Sequence, residues 1–443
     1  MFLLLSPAHA GRTSTRCPAQ SVVLLTLLSL VLAPTAHAAE APLTLARAQD
    51  IALSRSRQLI AQDHAVAASR DMAVAASQLP DPILKAGVDN VPIRGDDRFS
   101  LSRDFMTMRR VGVMQELTRT EKRNLRAGRF EREAEKTLAE QELARAAIER
   151  DTALAWLDRY YAETVAKAIA EQGAQARNEL DAAEGAYRGG RGTQADLLVA
   201  RAAVAMFDDR ASESERRVQN ATTMLGRWVG DAAGSPLDGK PDIDTLRIEP
   251  GQLEPQLERH PEISVQKKQE EIAQADARLA QAERRADWSL EVAYQQRGDA
   301  YSDMVSVGVS VPLQWDRKKR QDRVLSARLA AVEQAKAERD ERLRAYVAET
   351  RSAIQEWENN RARLARYRSA LIPLAQARTS ATVTAYGGGK ASLPDVLAAR
   401  RNETEVRIQA LQLESDTARR WAQINFLAPR ASGPERSKQQ EPR

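Results

Sequence analysis

Cysteine is almost missing: the 443 residues hold one, Cys17. It stands ahead of an apolar run, Ser21 to Ala33, which follows Arg12 and Arg16 and leads to Ala36-His37-Ala38. A basic start, a short apolar stretch and a small-x-small site mark residues 1–38 as an export signal. Cleavage after Ala38 removes Cys17, so the exported chain is expected to have no disulfide, no thiolate metal site and no lipid anchor. Stability then has to come from packing and assembly.

Histidine is scarce as well. Only His64 and His260 follow the signal, far apart and in polar or charged surroundings, where surface placement is expected. Met106, Met108 and Met114 share a parity, which predicts one strand face serving as plain apolar lining. No metal site, cofactor site or catalytic constellation is expected: no Gly-rich phosphate loop follows a strand, and the carboxylates lie in mixed charge runs. The chain reads as a non-enzyme. The net charge of +5 falls to +3 without Arg12 and Arg16, and acids and bases alternate throughout, which argues against nucleic acid as a partner. No stretch after the signal is apolar enough for a transmembrane helix, so contact with a membrane would have to be made by strands.

Aromatics make up 5% of the chain and charged residues 29%, the balance of long solvated helices with a thin apolar seam. Proline is absent between Pro92 and Pro236 and again between Pro312 and Pro373, but crowds positions 236–261. The gaps predict rods at about Thr120 to Tyr187 and Asp316 to Tyr386, each roughly 100 Å long. Val347 and Ile354 on one line, with Trp357, Leu364 and Leu371 on the next, keep a seven-residue step, the seam of helices packed along their length. Before each rod stands a hairpin. Strands are expected at about 288–297 and 303–314, where apolar residues alternate with small or polar ones, and at about 83–92 and 104–117.

The chain is doubled. "VGVMQELTRTEKR" (Val111 to Arg123) lines up with "VGVSVPLQWDRKK" (Val307 to Lys319), "SQLPDPIL" with "ERRADWSL", Trp156 with Trp357, and "AYRGGRGTQADLL" with "AYGGGKASLPDVL". Residues 39–230 and 263–428 are therefore read as two repeats of helix, β-hairpin, long helix, turn and helix. A Pro/Gly-rich connection at 231–262 joins them, and a disordered polar tail at 429–443 follows. The fold class is mainly α with a small β part. Four strands cannot close a barrel, and an open sheet in a membrane would leave unpaired backbone groups, so several copies are expected to close one together.

This order of elements, from "PLTLARAQDIAL" to "WAQINFL", with paired Tyr-x-x-Gly turns each followed by Asp-x-Leu, resembles the TolC-like outer membrane factors of Gram-negative efflux pumps and type I secretion systems. The "LPDP" at Leu79 to Pro82 resembles the branch that serves heavy-metal exporters. The resemblance implies a homotrimer with a twelve-stranded outer-membrane β-barrel, seated in outer-membrane lipid, continuous with a periplasmic α-helical barrel. It implies a passive exit duct whose partners are a periplasmic adaptor and an inner-membrane pump of the proton-driven RND type. Heavy-metal cations are one cargo; drugs or secreted proteins are alternatives, and a soluble periplasmic coiled-coil adaptor or scaffold is the rival class. Tyr187, Gly189 and Gly190, with Tyr386, Gly388 and Gly389, would be the adaptor-docking tips. Asp196 and Asp395 would line the entrance, answered by Arg188, Arg191 or Lys390, because Ala391 stands where some relatives carry a gate arginine.

Overall fold

The computed structural model describes residues 42–190, 192–249, 251 and 253–428; the expected signal, the polar tail and Arg191 lie outside them. Two helices open the described chain, α1 (Leu45–Arg55) and α2 (Arg57–Ser77). Ser56 ends the first and caps the second, its hydroxyl accepting the Leu59 N–H at 3.3 Å. Strands β1 (Ile83–Asp89) and β2 (Met108–Leu117) follow, then α3 (Thr120–Arg188), 69 residues without a break. Helix α4 (Gln194–Val229) runs back from its far end. After the connection, which holds the short α5 (Leu253–Leu257), the order recurs: α6 (Pro261–Glu283), β3 (Trp288–Gln296), β4 (Met304–Ser310), α7 (Gln321–Arg366), α8 (Ile372–Gly387) and α9 (Leu393–Asn425).

The four strands form one antiparallel sheet in chain order, β1-β2-β3-β4, so the two hairpins join along β2 and β3. Register places Leu84, Val88, Val111, Val113, Leu290, Val292, Val305, Val307 and Val309 on one face, all exposed. The other face carries Lys85, Asp89, Arg110, Glu291, Ser306 and Ser310. Period-two alternation in the sequence thus becomes a sheet with one greasy and one charged side. Two strands end earlier than expected. Asn90 turns to φ 58 and closes β1, and Pro312, with no N–H to offer a ladder, leaves β4 ending at Ser310.

The core sits midway along the rods, where extended segments strap across them. Trp156 donates its indole N–H to the Leu43 carbonyl at 2.9 Å, Trp357 to Ile243 at 3.0 Å and Trp421 to Thr245 at 2.9 Å. The indoles bury their rings among Leu157, Leu225, Ile263, Ile354 and Ile424 while donating to strap carbonyls, of which Leu43 also accepts the Asp238 N–H and Thr245 the Asn425 amide. His260 belongs here too, which corrects its expected surface placement. Its Nδ1 accepts the Glu262 N–H at 3.2 Å and caps α6, while Nε2 meets the Leu427 carbonyl and the Tyr346 hydroxyl. Burial holds this imidazole below its ordinary pKa, in the neutral form that N-capping needs.

The second rod departs from the expected seam. Ile354, Trp357 and Leu364 are buried as the seven-residue step requires, but Leu371 is exposed. Between α7 and α8 the chain makes one π turn, Tyr367–Leu371, in which the Ile372 N–H reaches five residues back to the Tyr367 carbonyl. Pro373 follows; a proline ring collides with the carbonyl four residues earlier, and the wider turn relieves that contact. The insertion moves the inward positions one residue along, to Ile372, Ala375 and Thr379.

Candidate functional site

Both rods end in the same turn. Gly189 N–H returns to the Gly185 carbonyl and Gly190 N–H to Tyr187; in the second copy Gly388 returns to Thr384 and Gly389 to Tyr386, all at 3.0–3.1 Å. Gly190 and Gly389 take φ +70 and +69, the left-handed conformation that closes a helix and that side chains resist. A Cβ on either would meet nothing within 4 Å, so the backbone there is uncovered.

The return helices start with identical capping boxes. Thr193 N–H donates to Asp196 Oδ2 at 3.0 Å while Asp196 N–H donates to Thr193 Oγ1 at 3.2 Å; Ser392 and Asp395 repeat this at 2.9 and 3.4 Å. The hydroxyls of Thr193 and Ser392, then their N–H groups, hold both carboxyls below the usual aspartate range. Both acids therefore remain charged and pinned to the tip backbone. Among the described residues neither is paired with Arg188 or Lys390: Arg188 pairs with Glu184 at 3.1 Å, which Arg201 also reaches at 3.2 Å, and Arg191 lies outside the described residues.

The two tips lie side by side. Ala183 and Ala200 of the first pack on Leu393 and Leu397 of the second, and Tyr386 rests against this cluster while Tyr187 stands exposed. Arg400 of α9 pairs with Glu179 and donates to Gln175 at 3.0 Å, and Thr404 donates to Gln172 at 2.9 Å, lacing the second tip onto α3. Sequence reading missed these residues, because a polar pair bridging helices 225 positions apart has no local pattern.

On the charged face of the sheet, Glu291 accepts Lys85 Nζ at 2.7 Å and Arg110 Nη2 at 2.5 Å, and Arg110 lies 3.6 Å from Asp89. Met108 and Met114 point to this same face, so they do not form the apolar lining expected of them, and Met106 lies in the loop before β2. His64 is exposed on α2. Among the described residues no group of three or more His, Cys, Asp or Glu side chains is placed to hold a metal ion. Among the same residues no helix is long and apolar enough to cross a membrane.

Comparison with solved structures decides the architecture. The outer membrane protein VceC of Vibrio cholerae superposes with a TM-score of 0.70 at 20% identity, over 86% of this chain and 95% of that one. CusC, described as undergoing folding and transmembrane channel formation, gives 0.72 at 14% identity over 87% and 92%. The fold is that of outer-membrane channels. The CmeC outer membrane channel of Campylobacter jejuni agrees, with a TM-score of 0.70 at 13% identity over 86% and 85%. In sequence, the chain is similar to the cobalt-zinc-cadmium resistance protein CzcC of Cupriavidus metallidurans, 26% identical over 255 residues. That match spans 56% of this chain and little more than half, 58%, of the relative. No protein-family model matches the chain.

Proposed function

We propose that this protein is the outer-membrane channel component of a tripartite efflux system, a passive exit duct carrying heavy-metal cations. The observation that carries the reading is the sheet: one face mostly apolar and exposed, with Arg109 and Gln115 toward its ends, the other charged, on a body in which no described helix is long and apolar enough to cross a bilayer. Strands of this kind are satisfied by lipid outside and water inside once the edges close. Three copies would supply twelve strands, with the rods extending the duct through the periplasm. The likeness to outer-membrane channels supports this assembly, and the likeness to a cobalt-zinc-cadmium resistance protein, with the Leu79-Pro80-Asp81-Pro82 motif, supports the cargo.

The tips are the docking end in this reading. Uncovered glycine backbone at Gly190 and Gly389 lets a periplasmic adaptor approach closely, and the adaptor couples the duct to an inner-membrane RND pump. Asp196 and Asp395 from every copy ring the entrance, where fixed negative charge favours cations.

Membrane behaviour, metal tolerance and the tip glycines each test the proposal. The protein should fractionate with outer membranes, resist urea extraction and conduct ions in a planar bilayer; recovery as a soluble monomer would overturn it. Deleting the gene, in a strain without a redundant duct, should sensitise cells to zinc, cobalt or cadmium, and unchanged metal tolerance would remove the cargo assignment. G190W and G389W should abolish coupling to the pump while leaving the channel assembled, since the new side chains meet open space and the strain of a positive φ, about 1–3 kcal/mol, is confined to one exposed turn.

A further inference from the structure

The internal seam of the sheet is a template for the seam between copies. The sequence alignment of the two halves sets Ile83 against Ser289 and Met114 against Ser310, and the structure pairs Ile83 with Met114 and Ser289 with Ser310. The hairpins therefore share one register, and β1 and β4 are left as the open edges of the sheet. In the same alignment β4 stands where β2 stands, and β1 where β3 stands. Whatever β2 does to β3 inside one chain, β4 can do to β1 of another.

That internal seam has a lock. Asp287, just before β3, accepts the Arg119 N–H at 3.2 Å and Lys122 Nζ at 2.6 Å, and Lys122 also donates to the Arg285 carbonyl at 2.5 Å. Arg119 precedes α3 and has no side-chain cap of its own, so Asp287 caps the rod from across the seam. The alignment turns Asp287 into Asp81, Arg119 into Trp315, Lys122 into Lys318 and Arg285 into Leu79. Lys122 is buried, whereas Lys318 and Asp81 are both exposed, and Trp315 is 88% exposed. The rod behind this half-lock also starts late: α3 begins at Thr120, but the matching stretch from Asp316 stays in turns until α7 begins at Gln321.

With β1 of a second copy adding to β4, we propose that Asp81 of the partner subunit takes Lys318 and draws the Trp315 N–H from its local 3.1 Å bond to the Leu313 carbonyl, so capping the turns that lead into α7 and fixing the register that β2 and β3 already use. This rests on the reading that several copies close the barrel. The register is specific. Gly112 and Ala293, which approach so closely that a Cβ on Gly112 would lie 2.7 Å from the alanine methyl, translate into Gly308 and the partner subunit's Gly87. Both glycines face open space in the single chain, and glycine inside a strand marks close approach of another backbone. Val307 then lies opposite the partner's Val88 on the apolar face, and Ser310 opposite the partner's Lys85 on the charged one. A slip of one residue would turn the partner's Lys85 and the partner's Asp89 toward the apolar side. The helices agree: Ala280 is buried on α6, which packs between α3 and α7, whereas its counterpart Val74 on α2 is 64% exposed, open to α7 of the neighbour.

Thiol cross-linking and a charge swap test this on the full chain in outer membranes or mild detergent. K85C/S310C treated with a short bis-maleimide, which alkylates one thiol at each end, should give covalent multimers, because β1 and β4 lie at opposite edges of one sheet and cannot meet within a chain. K85C/V309C, whose side chains leave opposite faces, should give at least fivefold less. D81K and K318D should each raise the monomer fraction released by SDS several-fold, and D81K/K318D should return it to the wild-type level. A multimer that cross-links at the slipped pair, or not at all, overturns the register while the multi-copy reading stands. A double swap no better than its parents overturns the cap. A wild-type chain that is monomeric in mild detergent overturns both.

Discussion

The two rods end in matching tips and start from matching hairpins, yet α3 runs unbroken from Thr120 to Arg188 while its counterpart is cut by a π turn and starts late. The difference separates what repeated sequence dictates from what local chemistry overrides. Tips and hairpins coincide because their glycines, caps and alternation are local. The rods diverge because Pro373 cannot sit in an unmodified α-helix, and because one rod finds Asp287 across a seam while the other faces an open edge.

The largest effect on this comparison should come from its shared middle. Trp156→Ala should cost about 3–5 kcal/mol through the cavity alone, and it also strips a donor from the Leu43 carbonyl. Urea denaturation followed by helical circular dichroism gives the value, and an unshifted midpoint would mean the straps are not what holds the rods. Next comes the proline. Ala174 lies as far before Tyr187 as Pro373 before Tyr386, and it is exposed on a helix with no π turn to accommodate a ring. Ala174→Pro should cost about 3 kcal/mol or more, and Pro373→Ala less than about 1, since alanine fits the backbone that already accommodates the proline ring. Equal losses would show that the π turn has another cause.

Smaller still is the effect of pH at the strap. The folded state holds His260 neutral with its pKa below the ordinary value of 6.5, so the unfolded chain binds the proton first as pH falls. The stabilisation is present above about 6.5 and declines as pH drops from there toward the lower folded value. A proton on Nδ1 would also break the Glu262 cap. Wild type should therefore lose more urea resistance between pH 8 and 5.5 than His260→Asn, which keeps a capping side chain without a titrating group. Parallel losses would place the pH dependence elsewhere.

Elements with strong periodicity were legible from sequence: both hairpins, both rods, and the paired turns with Asp196 and Asp395 behind them. Strand ends were not, because β1 stops at the positive φ of Asn90 and β4 short of Pro312, features that alternation does not encode. Leu371 was misplaced because a heptad count assumes an uninterrupted helix. His260 looked like a surface residue because its neighbours in sequence are charged, while the groups that bury it, Tyr346 and Leu427, come from distant parts of the chain. The same limit hid Glu179 and Arg400.

The tips offer the subtlest contrast, since Tyr187 and Tyr386 occupy the same place in identical turns with different surroundings. Tyr386 packs on the apolar cluster between the tips, whereas Tyr187 is nearly half exposed. Tyr187→Ala should change stability by no more than about 0.5 kcal/mol, as surface changes do. Tyr386→Ala should cost measurably more, because it uncovers the apolar contact between the two tips. If an adaptor docks there, their functional order reverses: Tyr187→Ala should weaken pump coupling while the channel stays intact, because an exposed ring beside bare glycine backbone is the larger anchor available to a partner. Metal tolerance together with thermal melting of both variants separates the two effects. Coupling lost with Tyr386→Ala alone, in step with its stability, would make the first tip a helix end and nothing more.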